Sequence, residues 1–461
     1  MACSLTIALA NNEPAIAQPC DPVEAAQLLA RDGAQEPRMY FGRSVSMSDG
    51  TTLIGAWGKT ESGADSGAAY VFQLNGSLWT QQAKLVPGDG AAYDWFGYAV
   101  AVINNTAFIG TPNDEDNGIQ SGSAYVFIRE GNTWTQRAKL VPSDGSDFNV
   151  FGTAVAASAH TVVLGAPYAG ASGIGAAYVF TGSGSSWGQQ AKLSAPDASD
   201  GDKFGGAVAI DTDTVVVGAY NDDDNGRNSG SVYVFVRNSG SWGLQAKLIP
   251  ADGARDDFFG WSVAVSGETI LVGAYADDDR GGASGSVYVF TRERGTWSQS
   301  AKLLAADGQS GDQFGYSVAL AADTAVIGGL GDDDRGTNAG SVYVFARQQG
   351  TWTQRAKLLA SDGGPADDQF GVSVSVSDDR AVCGFHQDDE IVFNTGSAYV
   401  FELNCAPCRV DLTGDGVADS LDFLLFLGAW SSGDALADWN KDWALDTRDF
   451  VAYLNDWAAG C

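Results

Sequence analysis

The sequence has few histidines, few basic residues and no long apolar run. Its two histidines, His160 and His386, lie in neither a nucleophile motif nor a zinc motif, so these kinds of catalysis are not indicated. There are 26 Lys and Arg residues against 57 Asp and Glu residues, which gives a net charge of −31. A chain this acidic repels nucleic acid and anionic membrane surfaces. A membrane span needs a run of about 18 apolar residues. The sequence has none, so no span is predicted.

Glycine is abundant and recurs in a regular pattern. The dipeptide Phe-Gly occurs seven times, at steps of 55, 55, 53, 55, 55 and 56 residues, beginning at Phe41, Phe96, Phe151, Phe204, Phe259, Phe314 and Phe370. Each unit contains the same four apolar segments, which in the fifth unit are 259–265, 269–274, 285–290 and 297–303. Four short strands separated by Gly, Ser, Asn and Asp predict one antiparallel sheet per repeat.

Seven such sheets predict an all-β, seven-bladed β-propeller, because stacked sheets bury their apolar faces and a closed ring has no free end. The last repeat stops at 396–404 without a fourth strand, and residues 25–29 resemble that missing strand. The N-terminal strand is therefore predicted to complete blade seven. The propeller is assigned to residues 20–404, and residues 1–19 are either a signal-peptide remnant or a disordered tail.

The repeated motifs resemble a known family. FG, then VGA or GAP, then G-S-x-Y-V-F in tandem resembles the FG-GAP repeat of bacterial secreted propellers and the integrin α-subunit head. The resemblance implies a secreted or cell-surface propeller with a binding or adhesion role, often associated with calcium. The aromatic residues that recur in phase are predicted to pack between blades, with carbohydrate stacking as the alternative.

The segment 405–461 contains two calcium-loop patterns. Positions 1, 3, 5, 7, 9 and 12 are Asp411, Thr413, Asp415, Val417, Asp419 and Asp422 in the first loop, and Asp438, Asn440, Asp442, Ala444, Asp446 and Asp449 in the second. An apolar helix is predicted after each loop. The pair resembles a dockerin of the bacterial GC type, which implies calcium as cofactor and docking onto a cohesin-like or other surface protein.

Two residues depart from the calcium-loop pattern. Thr413 offers a neutral hydroxyl, and Trp443 stands where the loop needs glycine for its sharp turn, so the second loop is the weaker candidate. The alternative is a pair of acidic turns that cap helices.

Acidic residues also cluster on one predicted face of the propeller. Strands alternate in direction, so the loops between strands two and three lie on the same face as the links between blades. Three of these loops carry Asp222, Asp223 and Asp224; Asp277, Asp278 and Asp279; and Asp332, Asp333 and Asp334. They are predicted either to bind calcium or to keep the protein soluble, and the face is predicted to bind a protein or glycan. Blades one and three lack the acidic triplet.

The cysteines suggest two disulfides. Aligning the chain ends on a complete repeat places Cys20 and Cys405 at adjacent positions of one hairpin turn. Cys408 and Cys461 would then join the ends of the C-terminal segment, and Cys383 would remain a buried thiol. The alternative is that the terminal cysteines are unpaired.

No catalytic residue is predicted. The sequence favours a non-catalytic, monomeric binding propeller, with a polysaccharide-active enzyme and a purely architectural surface protein as alternatives. Abundant carboxylates are compatible with glycoside hydrolysis, but no single pair stands out.

Overall fold

The computed structural model describes residues 22–32, 36–361, 367–377, 379–388, 393–403, 410, 412–413, 420–439 and 445–459. It contains two compact units, residues 24–401 and a C-terminal unit that begins at residue 402.

The larger unit is a seven-bladed propeller of four-stranded sheets. Blade one contains β2 (Phe41–Ser48), β3 (Thr51–Ala56), β4 (Ala68–Asn75) and β5 (Leu78–Leu85); blade two contains β6 (Ala99–Ile103), β7 (Thr106–Thr111), β8 (Ser123–Glu130) and β9 (Thr133–Leu140); blade three contains β10 (Ala154–Ser158), β11 (Thr161–Ala166), β12 (Ala176–Ser183) and β13 (Ser186–Leu193). Blade four contains β14 (Phe204–Asp211), β15 (Thr214–Ala219), β16 (Ser231–Asn238) and β17 (Ser241–Leu248); blade five contains β18 (Ser262–Ser266), β19 (Thr269–Ala274), β20 (Ser286–Glu293) and β21 (Thr296–Leu303); blade six contains β22 (Phe314–Ala321), β23 (Thr324–Gly329), β24 (Ser341–Gln348) and β25 (Thr351–Leu358).

Blade seven joins the two ends of the propeller. It contains β26 (Val374–Ser377), β27 (Arg380–Phe385), β28 (Ser397–Glu402) and, beside β28, the N-terminal strand β1 (Val23–Leu28). The prediction that an N-terminal strand completes the last blade is confirmed. Across the seam, Ser373 Oγ donates a hydrogen bond of 2.8 Å to the carbonyl oxygen of Gly42, so blade seven also contacts blade one directly.

The paired glycines of the repeat hold adjacent blades together. Gly97 of the Phe-Gly dipeptide has φ +90° and lies against Gly55 of blade one, where an added Cβ would come within 1.9 Å of the Gly97 carbonyl oxygen. Only glycine permits this approach of two backbones. At the seam, a Cβ on Gly384 would meet the carbonyl oxygen of Gly42 at the same 1.9 Å. The recurrence of the motif is thus explained by close backbone contact between blades.

The in-phase aromatic residues form the core, as predicted. Phe96 and Tyr125 are fully buried, with ring centroids 5.5 Å apart in an edge-to-face arrangement. Trp134 donates from Nε1 to Gln82 of the preceding blade at 2.8 Å, so the outer strands are also linked. Cys383 is a fully buried free thiol in β27, which confirms its predicted state.

The C-terminal unit has a small aromatic core between two helices. Helix α1 spans Ser420–Ser432, α2 spans Thr447–Ala459, and a 3-10 turn covers Ala435–Ala437. Phe426 stacks on Tyr453 with ring centroids 3.9 Å apart. These two residues occupy equivalent positions of the two sequence repeats, so the helices pack through corresponding faces. Among the described residues, no helix is long and apolar enough to span a membrane.

Candidate functional site

We call the face formed by the loops between strands two and three and by the links between blades the upper face; the opposite face is the lower face. At the upper face of blade six, the acidic loop surrounds a lysine. Lys357, at the end of β25, places Nζ 2.8 Å from Asp307, 2.7 Å from Asp332 and 2.5 Å from Asp334. The ammonium group therefore lies among three carboxylates, in the position that a bound cation would take.

The buried member of this group is Asp332, whose side chain is 4% exposed. The Tyr343 hydroxyl donates to its Oδ2 at 2.6 Å, and the amide of Asp334 donates to its Oδ1 at 3.1 Å. Burial alone would raise the pKa of Asp332, but the bonds from Lys357 and Tyr343 hold that pKa below its usual value. Asp333 instead accepts from the Asn338 amide at 2.7 Å and closes the loop.

The same lysine cage recurs in three further blades. Its members are Lys139 with Asp89, Asp114 and Asp116; Lys247 with Asp197, Asp222 and Asp224; and Lys302 with Asp252, Asp277 and Asp279. The middle acids Asp223 and Asp278 bind loop amides at 2.7 and 2.8 Å. In blade three, which lacks the triplet, Lys192 contacts a single carboxylate, Asp144, at 2.5 Å.

Of the nine predicted acidic-face residues, six contact lysines and three hold loop backbones. Among the described residues, the acids of blade six alone place one carboxylate oxygen each within 4.8 Å of one another. Calcium at this face stays a prediction. An ion there would compete with an ammonium group that already contacts the carboxylates.

A second candidate site lies at the upper end of the central channel. A cavity of about 400 Å³ is bordered there by the innermost strands of all seven blades, and its larger side chains are Arg43, Tyr98, Tyr168, Tyr220, Trp261 and Tyr316. We call these six residues the upper mouth. They follow the Phe-Gly dipeptide or the end of the second strand, where residue type differs from blade to blade.

A continuous row of four rings leads from Tyr40, which directly precedes blade one, to Tyr98 of blade two. Tyr40 stacks on Trp57 with ring centroids 4.5 Å apart and an interplanar angle of 6°. Trp57 contacts Trp95 at 5.1 Å, and Trp95 lies 6.0 Å from Tyr98. The guanidinium carbon of Arg43 is 5.1 Å from the centre of the Tyr98 ring. This side of the mouth therefore combines aromatic surface with a positive charge.

The opposite side of the mouth is a second aromatic cluster. Trp261 lies 5.0 Å from Tyr220, 4.8 Å from Tyr275 and 5.5 Å from Tyr316, measured between ring centroids. All four side chains are partly exposed. Rings with polar ends and exposed faces suit ligands that are themselves amphipathic.

Two polar ring atoms, in His386 and Trp57, are buried. His386 is 9% exposed, and burial together with the nearby positive charge of Arg43 lowers its pKa to about 3, so the imidazole is neutral at physiological pH. Within the described part of the chain, His386 Nδ1 and Trp57 Nε1 are buried without a hydrogen-bond partner.

Sequence reasoning missed the upper mouth because it considered only the aromatics that recur in phase. Aromatic residues that appear in some repeats and not in others, directly beside an invariant motif, could have indicated the site. The fold does not require such residues.

In the C-terminal unit, five predicted ligands lie within the described residues: Thr413, Asp422, Asp438, Asp446 and Asp449. The position-12 residues Asp422 and Asp449 are fully buried. Asp422 accepts from the Thr413 amide at 2.8 Å, and Asp449 accepts from the Asp446 amide at 2.9 Å.

The remaining predicted ligands lie outside the described residues: Asp411, Asp415, Val417, Asp419, Asn440, Asp442 and Ala444. The same holds for Cys20, Cys405, Cys408, Cys461 and residues 1–19. The ligand type still fits calcium, because the donor set consists of oxygen atoms and each position-12 carboxylate is tied to its own loop.

The seven repeats match a family model described as "FG-GAP repeat" at residues 22–72, 79–127, 134–180, 187–235, 242–290, 297–345 and 352–401. The chain belongs to the FG-GAP repeat family. Among curated proteins, none matches the chain in sequence. Among solved structures, the FG-GAP chain is similar to the crystal structure of the Saccharomyces cerevisiae Sqt1, at 10% identity and a TM-score of 0.44, over 81% of this chain and 84% of that chain. A likeness at that level is too weak to support an inference about function.

Proposed function

We propose that the protein is a secreted or cell-surface binding propeller without catalytic activity, anchored through a calcium-binding, dockerin-like C-terminal module. The observation that carries the proposal is the upper mouth. Its six side chains come from positions that the repeat leaves free to vary, and they converge on one cavity of about 400 Å³. Small-molecule sites have volumes of roughly 300–1,000 Å³ and are lined mainly by apolar and aromatic groups.

The composition of the mouth favours binding over catalysis. Glycoside hydrolysis uses two carboxyl groups that face each other across the scissile bond. The described residues that border the mouth cavity include neither Asp nor Glu. The acids of the upper face contact lysines, tyrosines or loop amides, which favours a structural role for them.

The proposed anchor rests on the C-terminal unit. Helix α1 exposes Leu421, Leu424 and Leu425 by 55%, 60% and 48%, and these residues follow helical spacing along one side. An exposed apolar stripe on a small helical unit suits docking onto a protein. Calcium would be held by Asp411, Thr413, Asp415, Val417, Asp419 and Asp422 in the first loop, and its binding would stabilise the unit.

Binding of the full chain to an array of glycans and cohesin-like modules tests both parts. Glycan retention should be lost in the double variant Trp261→Leu with Tyr316→Leu and kept in Arg237→Met, which changes the lower face. Module retention should be lost in Leu424→Asp and on calcium chelation. Release of reducing sugar from a retained glycan would instead favour the enzyme alternative, and unchanged retention in all variants would refute the proposed sites.

A further inference from the structure

We infer that the upper mouth binds a sugar that carries one carboxylate, with Arg43 as the residue that binds the anion. This inference rests on the proposed binding function and names the class of ligand.

Arg43 differs from the arginines that carry the in-phase ion pairs of the lower face. On the lower face, Arg237 donates to Asp213 at 2.6 Å and Arg347 donates to Asp323 at 2.7 Å. Arg43 lies instead beside Tyr98 and Tyr316, and no described carboxylate pairs with its guanidinium. A guanidinium that is partly removed from water without an anion is unfavourable, so a ligand carboxylate would gain from entering the cavity.

The charge of Arg43 also decides between two kinds of ligand. An aromatic cavity without a charge would suit a ligand cation, which is attracted to ring faces. Here the protein already places a cation over Tyr98. A second cation would be repelled, and an anion is favoured.

The rings indicate a sugar rather than a simple organic acid. Tyr98, Tyr220 and Tyr316 offer hydroxyl groups beside their ring faces, and Trp261 adds an indole N–H. The C–H face of a sugar packs on such rings while its hydroxyls bond to the polar ends. Because the chain is strongly acidic overall, a polyanion would be repelled on approach, whereas a ligand with one carboxylate meets little repulsion.

Titration of the full chain with methyl glycosides tests the inference, with tryptophan fluorescence and calorimetry as readouts. The probes are methyl glucuronide, galacturonide and mannuronide, with methyl glucoside as the neutral match and glutarate as an acid without a ring. At least one hexuronide should saturate, and glucoside and glutarate should bind at least tenfold more weakly. Arg43→Met should weaken hexuronide binding at least tenfold while leaving glucoside binding unchanged.

Arg237→Met is the matched control and should bind like the wild type. If Arg43→Met does not fold, Trp261→Leu keeps the test decisive. This variant should weaken hexuronide binding without removing the charge of Arg43. Saturation by no hexuronide, equal binding of glucoside, equal binding of glutarate, or full affinity in Arg43→Met would each overturn the inference. Retention of a neutral glycan at the mouth with no response to Arg43→Met would leave the binding function standing and refute only the charged ligand.

Discussion

Replacing Lys357 tests whether the lysine cages act in place of metal ions. The ammonium contacts Asp307, Asp332 and Asp334, of which Asp332 is 4% exposed and the other two are 43% and 48% exposed. Removing one partner of a buried ion pair costs about 3–5 kcal/mol, whereas an exposed pair contributes about 0–1 kcal/mol. Lys357 itself is 15% exposed, so water reduces the larger figure. We expect Lys357→Met to lower the free energy of unfolding by about 3 kcal/mol.

Lys192 provides the matched control from the same position of another repeat. Among the described residues, its one ion pair is with Asp144, and the two side chains are 40% and 47% exposed. Lys192→Met should therefore cost no more than about 1 kcal/mol. Equilibrium urea unfolding of the full chain measures both changes. Equal losses in the two variants would show that the cage is only a set of solvated surface charges.

The shorter substitution Lys357→Ala examines the calcium alternative. It would leave three carboxylates whose oxygen atoms lie within 4.8 Å of one another, with space for an ion. If the lysine acts as the cation, calcium should raise the stability of Lys357→Ala relative to the wild type, and Lys192→Ala should show no such gain. A saturable calcium response of the wild-type propeller transition, equal to that of Lys357→Ala, would refute the reasoning and favour ion binding on the acidic face.

Three further predictions concern pH, ring closure and the calcium loops. Burial raises the pKa of Asp94 to about 6, so ionisation of this carboxyl group destabilises the fold as pH rises from about 4 to 6. The pKa of Asp332 is lowered instead, so the stability that its carboxylate contributes is lost only as pH falls below about 4. Thermal melting should therefore show greatest stability near pH 4–5. The variant Asp94→Asn copies Asn149 of blade three, and its free energy of unfolding at pH 7 should be about 1–3 kcal/mol higher, with a weaker dependence on pH. A loss of stability in this variant would contradict the reasoning. Gly384→Ala places a Cβ 1.9 Å from a carbonyl oxygen at the seam, so it should lower the melting temperature far more than Gly350→Ala. A Cβ on Gly350 meets nothing within 4 Å, although the φ of +82° at this residue adds strain. Equal losses in the two variants would disprove close packing as the cause. Asp415→Ala should reduce calcium binding by calorimetry more than Asp442→Ala, because Trp443 occupies the glycine position of the second loop, and the reverse order would argue against that reasoning.

The repeat made most of the propeller predictable. Period, strand number and the N-terminal closing strand follow from residues that occupy the same position in every unit, as Phe96 and Tyr125 do. The predicted burial of these rings is confirmed because identical environments recur seven times. A pattern of this kind averages over the blades, so it describes the scaffold well.

The partners of the acidic loops could not be deduced from the same pattern. Lys357 is 25 residues from Asp332 and 50 from Asp307 in sequence, and its convergence with them depends on how the outer strand and two loops meet in space. The lysine and the aspartates were both present in the sequence as in-phase residues. The sequence indicated their regularity, but only the structure shows that the lysine forms ion pairs with three of the aspartates.

The upper mouth illustrates why the missed residues are the functional candidates. In blades two, four, five and six, the in-phase charges are already committed: each cage places three carboxylates around one ammonium and keeps two net negative charges. The in-phase aromatics are likewise committed to the core. Positions such as those of Arg43, Tyr98 and Trp261, which border the cavity, therefore allow a blade to change its chemistry without losing its packing. The guanidinium of Arg43 would attract the carboxylate of a ligand, whereas the net charge of −31 on the chain would repel a polyanion, and together the two effects favour a singly charged ligand.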